Sequence, residues 1–328
     1  MALKHKGSVL GIGNALVDII IRVQDDDILR RISLPKGSMT MIDSERKNSI
    51  LKEVIQYPRE FTSGGSVANT IYGLSSLGIQ TGYIGKIGSD EYGKIFFADV
   101  IRASIRPHLL SGNSPTGTAI TLVTPDGERT FGTYLGAAVE MQAGELDPAV
   151  FKPYDWLMAE GYLIYNRDLI IRSLQIAKSQ GLKVAMDMAS YNLVEDYREF
   201  IISLLKDYVD LVFANEVEAH ALTGMQDPEK ALAQLGGLCH TAVVKIGKEG
   251  SWITSGGETV KVEGKPANCI DTTGAGDLYA AGFLYGQLNG RSLARSGEVG
   301  SLLGAHAVEV VGAKIPEARW KEIREWVS

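Results

Sequence analysis

The sequence predicts an α/β fold: a central, mostly parallel sheet with helices on both faces, plus a small β-sheet lid. Three observations lead there. After residue 150, short apolar strands alternate with helical periods, the order that gives a parallel sheet covered by helices. Residues 15–23 and 118–135 are strand-rich and stand outside that alternation. Late in the chain, Asp271-Thr272-Thr273-Gly274-Ala275-Gly276-Asp277 leads into an apolar run, as a glycine turn leads into a buried helix.

In chain order, Ser8 to Gly13 reads as a first strand ending in a glycine turn. Ala15 to Val23 continues as β-rich sequence, and 34–42 as a turn and a short strand. From Gly64, two glycines lead into Val67, Ile71, Leu74 and Leu77, a helical spacing, and Gly78 is its stop. Residues 80–87 read as a strand and 90–104 as a helix. Residues 118–123 and 129–135 flank the turn Pro125-Asp126-Gly127, which predicts a hairpin. Strands then follow at 156–158, 183–186, 211–213 and 242–246, with helices at 168–180, 201–205 and 216–223. The expected division is a large α/β body (1–14, 44–111 and 137–328) and a small β lid (15–43 and 112–136).

The chain has 328 residues, 45% apolar and 22% charged, enough for a sizeable core. A net charge of −6 without a long basic stretch gives no reason to expect nucleic-acid or anionic-membrane partners. No apolar run approaches the ~18 residues of a membrane span. Lys4 and Lys6 precede no apolar leader segment. Cys239 and Cys269 have no metal-like spacing, and the five histidines form no paired zinc motif. A cytoplasmic protein is expected.

The heptapeptide carries the chemistry. Gly274 and Gly276 let backbone N–H groups approach an anion at a helix start, and Asp277 places a carboxylate beside it. That pairing points to phosphoryl transfer. The heptapeptide resembles the second signature of the ribokinase-like PfkB sugar and nucleoside kinases. The resemblance implies that Asp277 is the base for an acceptor hydroxyl and that Gly274, Ala275 and Gly276 form the anion hole. Gly64-Gly65-Ser66-Val67-Ala68-Asn69 resembles the first signature, implying substrate contacts at Gly64, Gly65, Ser66 and Asn69. Taken alone it is also an ordinary glycine-led helix entry. Asn14 and Asp18 resemble the family's sugar-hydroxyl segment, although an isolated strand Asp is more often exposed.

Asn215-Glu216-Val217-Glu218 matches the family's Asn-x-x-Glu motif, which implies that Asn215 and Glu218 organise Mg²⁺, through water, and the phosphates. A helix capping box fits the same residues. Lys245, Gly247 and Gly250 resemble the nucleotide-binding strand and loop, or form a simple hairpin turn. Arg129 corresponds to an arginine that closes over the phosphates in adenosine-kinase relatives, or is an exposed hairpin residue. Asp187 reads as a strand-end residue, and Asp25-Asp26-Asp27 as a solvated turn.

The ordered recurrence of these motifs covers nearly the whole chain. It implies a ribokinase-like fold, ATP and Mg²⁺ as cofactors with K⁺ at Asp271 as a further option, and a small nucleoside or sugar substrate. A monomer or a homodimer is expected. Asn14 to Asp18, Asn69-Thr70-Ile71 and Phe213 to Glu218 are similar to adenosine kinases, making adenosine the preferred acceptor, with a free sugar such as ribose or fructose as the alternative. A non-catalytic binding regulator is the rival of another class. A dinucleotide fold is disfavoured because Gly11-x-Gly13 has no third glycine.

Overall fold

In the computed structural model, which describes residues 7–328, fourteen strands form two sheets. In chain order they are β1 (Ser8–Ile12), β2 (Leu16–Arg22), β3 (Met39–Met41), β4 (Arg59–Gly64), β5 (Gln80–Ile87), β6 (Arg106–Ser111) and β7 (Gly117–Val123). There follow β8 (Arg129–Tyr134), β9 (Trp156–Glu160), β10 (Lys183–Asp187), β11 (Leu211–Asn215), β12 (Thr241–Lys245), β13 (Ser251–Ser255) and β14 (Glu258–Val262). Lys4 and Lys6 lie outside the described residues.

The large sheet runs β14-β13-β12-β11-β10-β9-β1-β5-β6. From β12 to β6 every pairing is parallel, and β13 and β14 add an antiparallel edge. Period-two alternation splits its side chains between two cores. Val9, Leu211, Phe213 and Val243 pack with the helices Ser66–Ser76 and Ala275–Leu288. Leu10, Val212, Ala214 and Val244 pack on the other face. Strands buried on both faces read as continuous apolar runs, which is why these were legible in the sequence.

The small sheet runs β3-β8-β7-β2-β4. Ile19, Ile21, Ile120 and Leu122 face a third core, closed by Ile50 from the helix Ser44–Glu53. This sheet reaches beyond the expected 15–43 and 112–136. It takes in that helix and β4, which pairs antiparallel with β2 from Leu16↔Gly64 to Ile21↔Arg59. The sequence of β4, Arg-Glu-Phe-Thr-Ser-Gly, carries almost no apolar alternation. It is a strand because β2 offers it a backbone edge.

Among the described residues no helix is long and apolar enough to cross a membrane.

Candidate active site

The strand order reverses at β1, flanked by β5 on one side and β9 on the other. Crevices in open α/β sheets form at such points, outside the carboxyl ends of the strands. Asn14 lies just past β1, and its Nδ2 donates to Glu160 Oε1 at 2.7 Å. Glu160 ends β9, is 2% exposed, and also accepts the backbone N–H groups of Asn14 at 3.3 Å and Val67 at 3.4 Å. Burial lifts its carboxyl to about 7, against the pull of those hydrogen bonds.

Two glycines shape the next wall. A Cβ on Gly64 would stand 2.4 Å from Asp18 Oδ1, so the missing side chain admits that carboxylate. Gly65 has φ of 101° and leaves no room for a Cβ against the Asn14 carbonyl, 2.3 Å away. The helix Ser66–Ser76 then begins, and it grips the heptapeptide. Ser66 Oγ donates to Asp277 Oδ1 at 2.7 Å, and Asn69 Nδ2 to Asp277 Oδ2 at 3.0 Å. Thr70 Oγ1 donates to the Asp277 carbonyl at 3.1 Å. Burial raises the Asp277 carboxyl to about 6, opposed by the Asn69 and Ser66 hydrogen bonds and by the nearby Lys245 charge. Burial likewise takes Asp18 to about 7, opposed chiefly by Lys314.

At the start of the helix Ala275–Leu288, Gly274 has φ of 74°, and a Cβ there would lie 2.3 Å from that of Ala313. The Ala275 N–H donates to the Thr272 carbonyl at 3.2 Å. The Gly276 and Asp277 N–H groups donate to no other protein group among the described residues. The Gly274 N–H likewise has no such partner, so only Ala275 of the expected Gly274–Gly276 trio is engaged by the turn, and the free amides are those of Gly274, Gly276 and Asp277. They point from the positive end of a helix dipole.

Lys245 ends β12, and its Nζ lies 3.0 Å from where a Gly276 Cβ would stand. It donates to Asp187 Oδ2 at 2.8 Å. Burial would lower its pKa, but Asp187 and Glu218 outweigh that and hold it above the ordinary lysine range. Asn215 and Glu218 form the capping box: Glu218 N–H donates to Asn215 Oδ1 at 2.8 Å, and Asn215 N–H to Glu218 Oε2 at 2.8 Å. Glu218 is 4% exposed, and burial, reinforced by the Asp187 charge, raises its carboxyl to about 7. Gly247 and Gly250 lie in the turn joining β12 to antiparallel β13. Gly250 must be glycine for packing, since its Cβ would lie 2.0 Å from the Val262 carbonyl, whereas Gly247 faces open space.

Arg129 is not an exposed hairpin residue. It starts β8, reaches from the small sheet to the heptapeptide, and forms a buried ion pair with Asp271. Its Nη1 also donates to Thr273 Oγ1 at 3.3 Å, and its Nε has no partner among the described residues. Asp271 Oδ1 accepts the Thr273 N–H at 2.9 Å, and Oδ2 the Gly312 N–H at 2.5 Å. With a guanidinium and two amides on one carboxylate, Asp271 does not fit a K⁺ ligand. The Mg²⁺ expectation fits better. No group of three or more His, Cys, Asp or Glu among the described residues forms a metal cluster. Glu218 does offer a buried hard oxygen, and Mg²⁺ takes few protein carboxylates and keeps waters and phosphates.

Two cavities flank the Asp277 segment: its partner Ser66 lines one and its neighbour Gly276 lines the other. One, of about 870 Å³, has Asn14, Gly65, Ser66 and Glu160 in its wall. The other, of about 520 Å³, is lined by Lys245, Gly247, Gly250, Thr272, Ala275 and Gly276. A hydroxyl in the first and a phosphate chain in the second would meet at the heptapeptide.

Residues 36–320 match the pfkB family carbohydrate kinases. The chain belongs to the PfkB family. It is a sugar or nucleoside kinase, a phosphotransferase. Its structure is similar to that of an adenosine kinase from Sinorhizobium meliloti, with a TM-score of 0.88 and 36% identity over 98% of this chain and 100% of that one. It is also similar to a probable sugar kinase from Rhizobium etli CFN 42, with a TM-score of 0.87 and 33% identity over 97% and 98%. An uncharacterized sugar kinase from Archaeoglobus fulgidus is 29% identical over 243 residues, 74% of this chain and 96% of that one. PfkB relatives of both kinds thus share the full architecture.

Sequence reasoning left three PfkB-site residues unassigned. Glu160 and Asp187 each end an apolar parallel strand, and a carboxylate at that position is the signal that points to the crevice. Asp187 is correctly a strand-end residue, but it is 6% exposed and bound to Lys245, not an idle terminus. Lys314 stacks on Tyr72 with its Nζ 4.1 Å from the ring centre. Burial lowers it to about 8 despite Asp18, Asp99 and Asp277 nearby. Nothing in its local sequence marks it.

Proposed function

We propose that this kinase transfers the γ-phosphoryl of ATP to the primary hydroxyl of a ribose-containing nucleoside, adenosine first among them, giving AMP. One observation carries the choice of a nucleoside. The cavity of about 870 Å³ continues from its polar floor to an apolar mouth of Met39, Met41, Val139 and Tyr165, all large side chains left exposed. A free pentose would occupy the polar floor and leave that mouth uncovered, whereas a purine would fill it. Buried apolar contact is the main source of small-ligand affinity in such sites.

Asn14, Asp18, Gly64, Gly65 and Asn69 hold the ribose. The buried Asn69 Oδ1, without a partner among the described residues, is an acceptor for a substrate hydroxyl. Asp277, oriented by Ser66 and Asn69, takes the proton of the attacking hydroxyl as its oxygen bonds to phosphorus and the bond to ADP breaks. Its carboxyl near 6 leaves it ionised at neutral pH and close enough in basicity to act. Backbone N–H groups of the Gly274–Asp277 turn face the charge that develops on the phosphoryl oxygens. Lys245, Gly247, Gly250 and Asn215 line the nucleotide side. Glu218 would hold Mg²⁺ through water, where the ion offsets phosphate charge. Arg129, bonded at the heptapeptide to Asp271 and Thr273, is the side chain that would turn to the same phosphates.

The test is ATP consumption with adenosine, inosine, guanosine, ribose and fructose, with and without K⁺. Adenosine or another nucleoside is expected to give a kcat/KM at least tenfold above either free sugar. Preference for ribose or fructose would replace the nucleoside reading with the free-sugar one.

A further inference from the structure

Asp187 ends β10, Asn215 ends β11 and Lys245 ends β12, so three neighbouring parallel strands deliver their last side chains to one place. Asp187 reaches past the middle strand to Lys245, and the two side chains are 8% and 15% exposed. Both Asp187 oxygens are engaged. Oδ2 accepts from Lys245 Nζ at 2.8 Å, and Oδ1 from the Ala189 N–H at 2.9 Å. To supply that N–H, Ala189 adopts φ of 66°. A left-handed alanine is strained, and such outliers persist where surrounding structure over-determines them. The carboxylate is thus fixed in direction and so fixes the ammonium.

The ammonium is held where an anion is expected. Nζ lies 3.0 Å from the site of a Gly276 Cβ, beside the unpartnered Gly276 N–H and on the wall of the nucleotide cavity. An alanine at 276 would press on that ammonium. A lysine also bears a point charge that a neutral donor lacks.

We infer that Lys245 contacts the transferring phosphoryl at the Gly276 end of the anion hole, and that Asp187 is the positioning residue that holds it there. This rests on the kinase reading. Lys245 adds a fixed positive charge to the backbone donors, opposite Asp277 across the reacting atoms. Asp187 touches no substrate and acts only through Lys245.

The experiment is a double-mutant cycle of Asp187→Asn and Lys245→Met. It measures kcat and KM with the best acceptor of the panel above, together with calorimetric binding of β,γ-imido-ATP and of ADP, which lacks the transferring phosphoryl. Lys245→Met is expected to lower kcat about 100-fold, in the range seen when one preorganised donor is removed. Asp187→Asn, which keeps the Ala189 turn, is expected to lower kcat about tenfold with acceptor KM within twofold, and Asp187→Glu to restore part of it. The double variant is expected to match Lys245→Met alone, since groups acting as a unit are not additive. It also carries a neutral pair, which protects the fold if a single variant is unstable. Imido-ATP affinity is expected to fall about tenfold in all three, with ADP affinity within twofold. Losses that multiply in the double variant, wild-type kcat in Lys245→Met, or equal loss of ADP binding would each overturn the inference. Should wild type turn over no acceptor, the kinase reading itself fails, and the two binding measurements still decide the placement of Lys245.

Discussion

Asp277→Asn separates catalysis from stability with one atom. The wild-type carboxyl accepts from Ser66 on one oxygen and Asn69 on the other. An Asn keeps one acceptor and gains an NH₂ donor. The unpartnered Asn69 Oδ1 can take that donor by an amide flip, so the site stays hydrogen-bonded. Raising the carboxyl from 3.8 to about 6 makes its ionised form in the folded chain about 3 kcal/mol less favourable. The sign follows from proton counts. Between 3.8 and about 6 the folded state binds more protons than the unfolded one, so this group costs stability as pH rises, fully so above about 6. Removing it should stabilise the ligand-free protein at pH 8 and do little at pH 4, where the wild-type carboxyl is largely neutral. With an unfolding entropy of about 2.1 cal/mol/K per residue, about 3 kcal/mol is a Tm gain of about 4 °C for this chain. Turnover should meanwhile fall by about 10²–10⁴, the contribution of a positioned base. Thermal unfolding at the two pH values, paired with ATP consumption, reads both. Near-wild-type turnover would remove Asp277 from the base role, and an equal Tm change at both pH values would refute the burial argument.

Four further outcomes follow from the same geometry. Because Asp277 acts ionised and sits near 6, kcat should fall about tenfold per pH unit below about 6; a flat profile down to pH 4.5 would show that no group of this kind limits turnover. Met41→Glu, at the apolar mouth, should raise the nucleoside KM about tenfold or more while leaving kcat with ribose within twofold; unchanged nucleoside KM would place the base elsewhere. Arg129→Ala leaves the fully buried Asp271 side chain without its cation, which should cost about 3–5 kcal/mol, seen as a lower Tm. Wild-type turnover should be the same in Na⁺ and K⁺ buffers, and K⁺ activation would show that Asp271 admits an ion after all.

Much of the fold was legible because burial on both faces writes itself as apolar runs. The strands at 156–160, 183–187, 211–215 and 241–245 are such runs, and the helix at 66–76 shows its period in Val67, Ile71 and Leu74. The strand Arg59–Gly64 was not legible. Its side chains are mostly outside any core, and it is held by backbone pairing to a strand some forty residues earlier.

Chemistry that depends on local backbone is legible in the amino-acid order alone. Gly65 and Gly274 must be glycine for their φ, and Asn215 with Glu218 closes a cap within four residues. Those features are readable because their partners are neighbours in the chain. The fold sets which distant residues meet. Ser66 and Asn69 bind Asp277 more than two hundred residues away, Arg129 is buried against Asp271 rather than exposed, and Asp187 belongs to Lys245. It also placed Met39, Met41 and Tyr165 around one cavity. The physical reason is that strand order, not sequence distance, sets which strand ends share a crevice, and a lone carboxylate in a sequence carries no mark of the charge it will face.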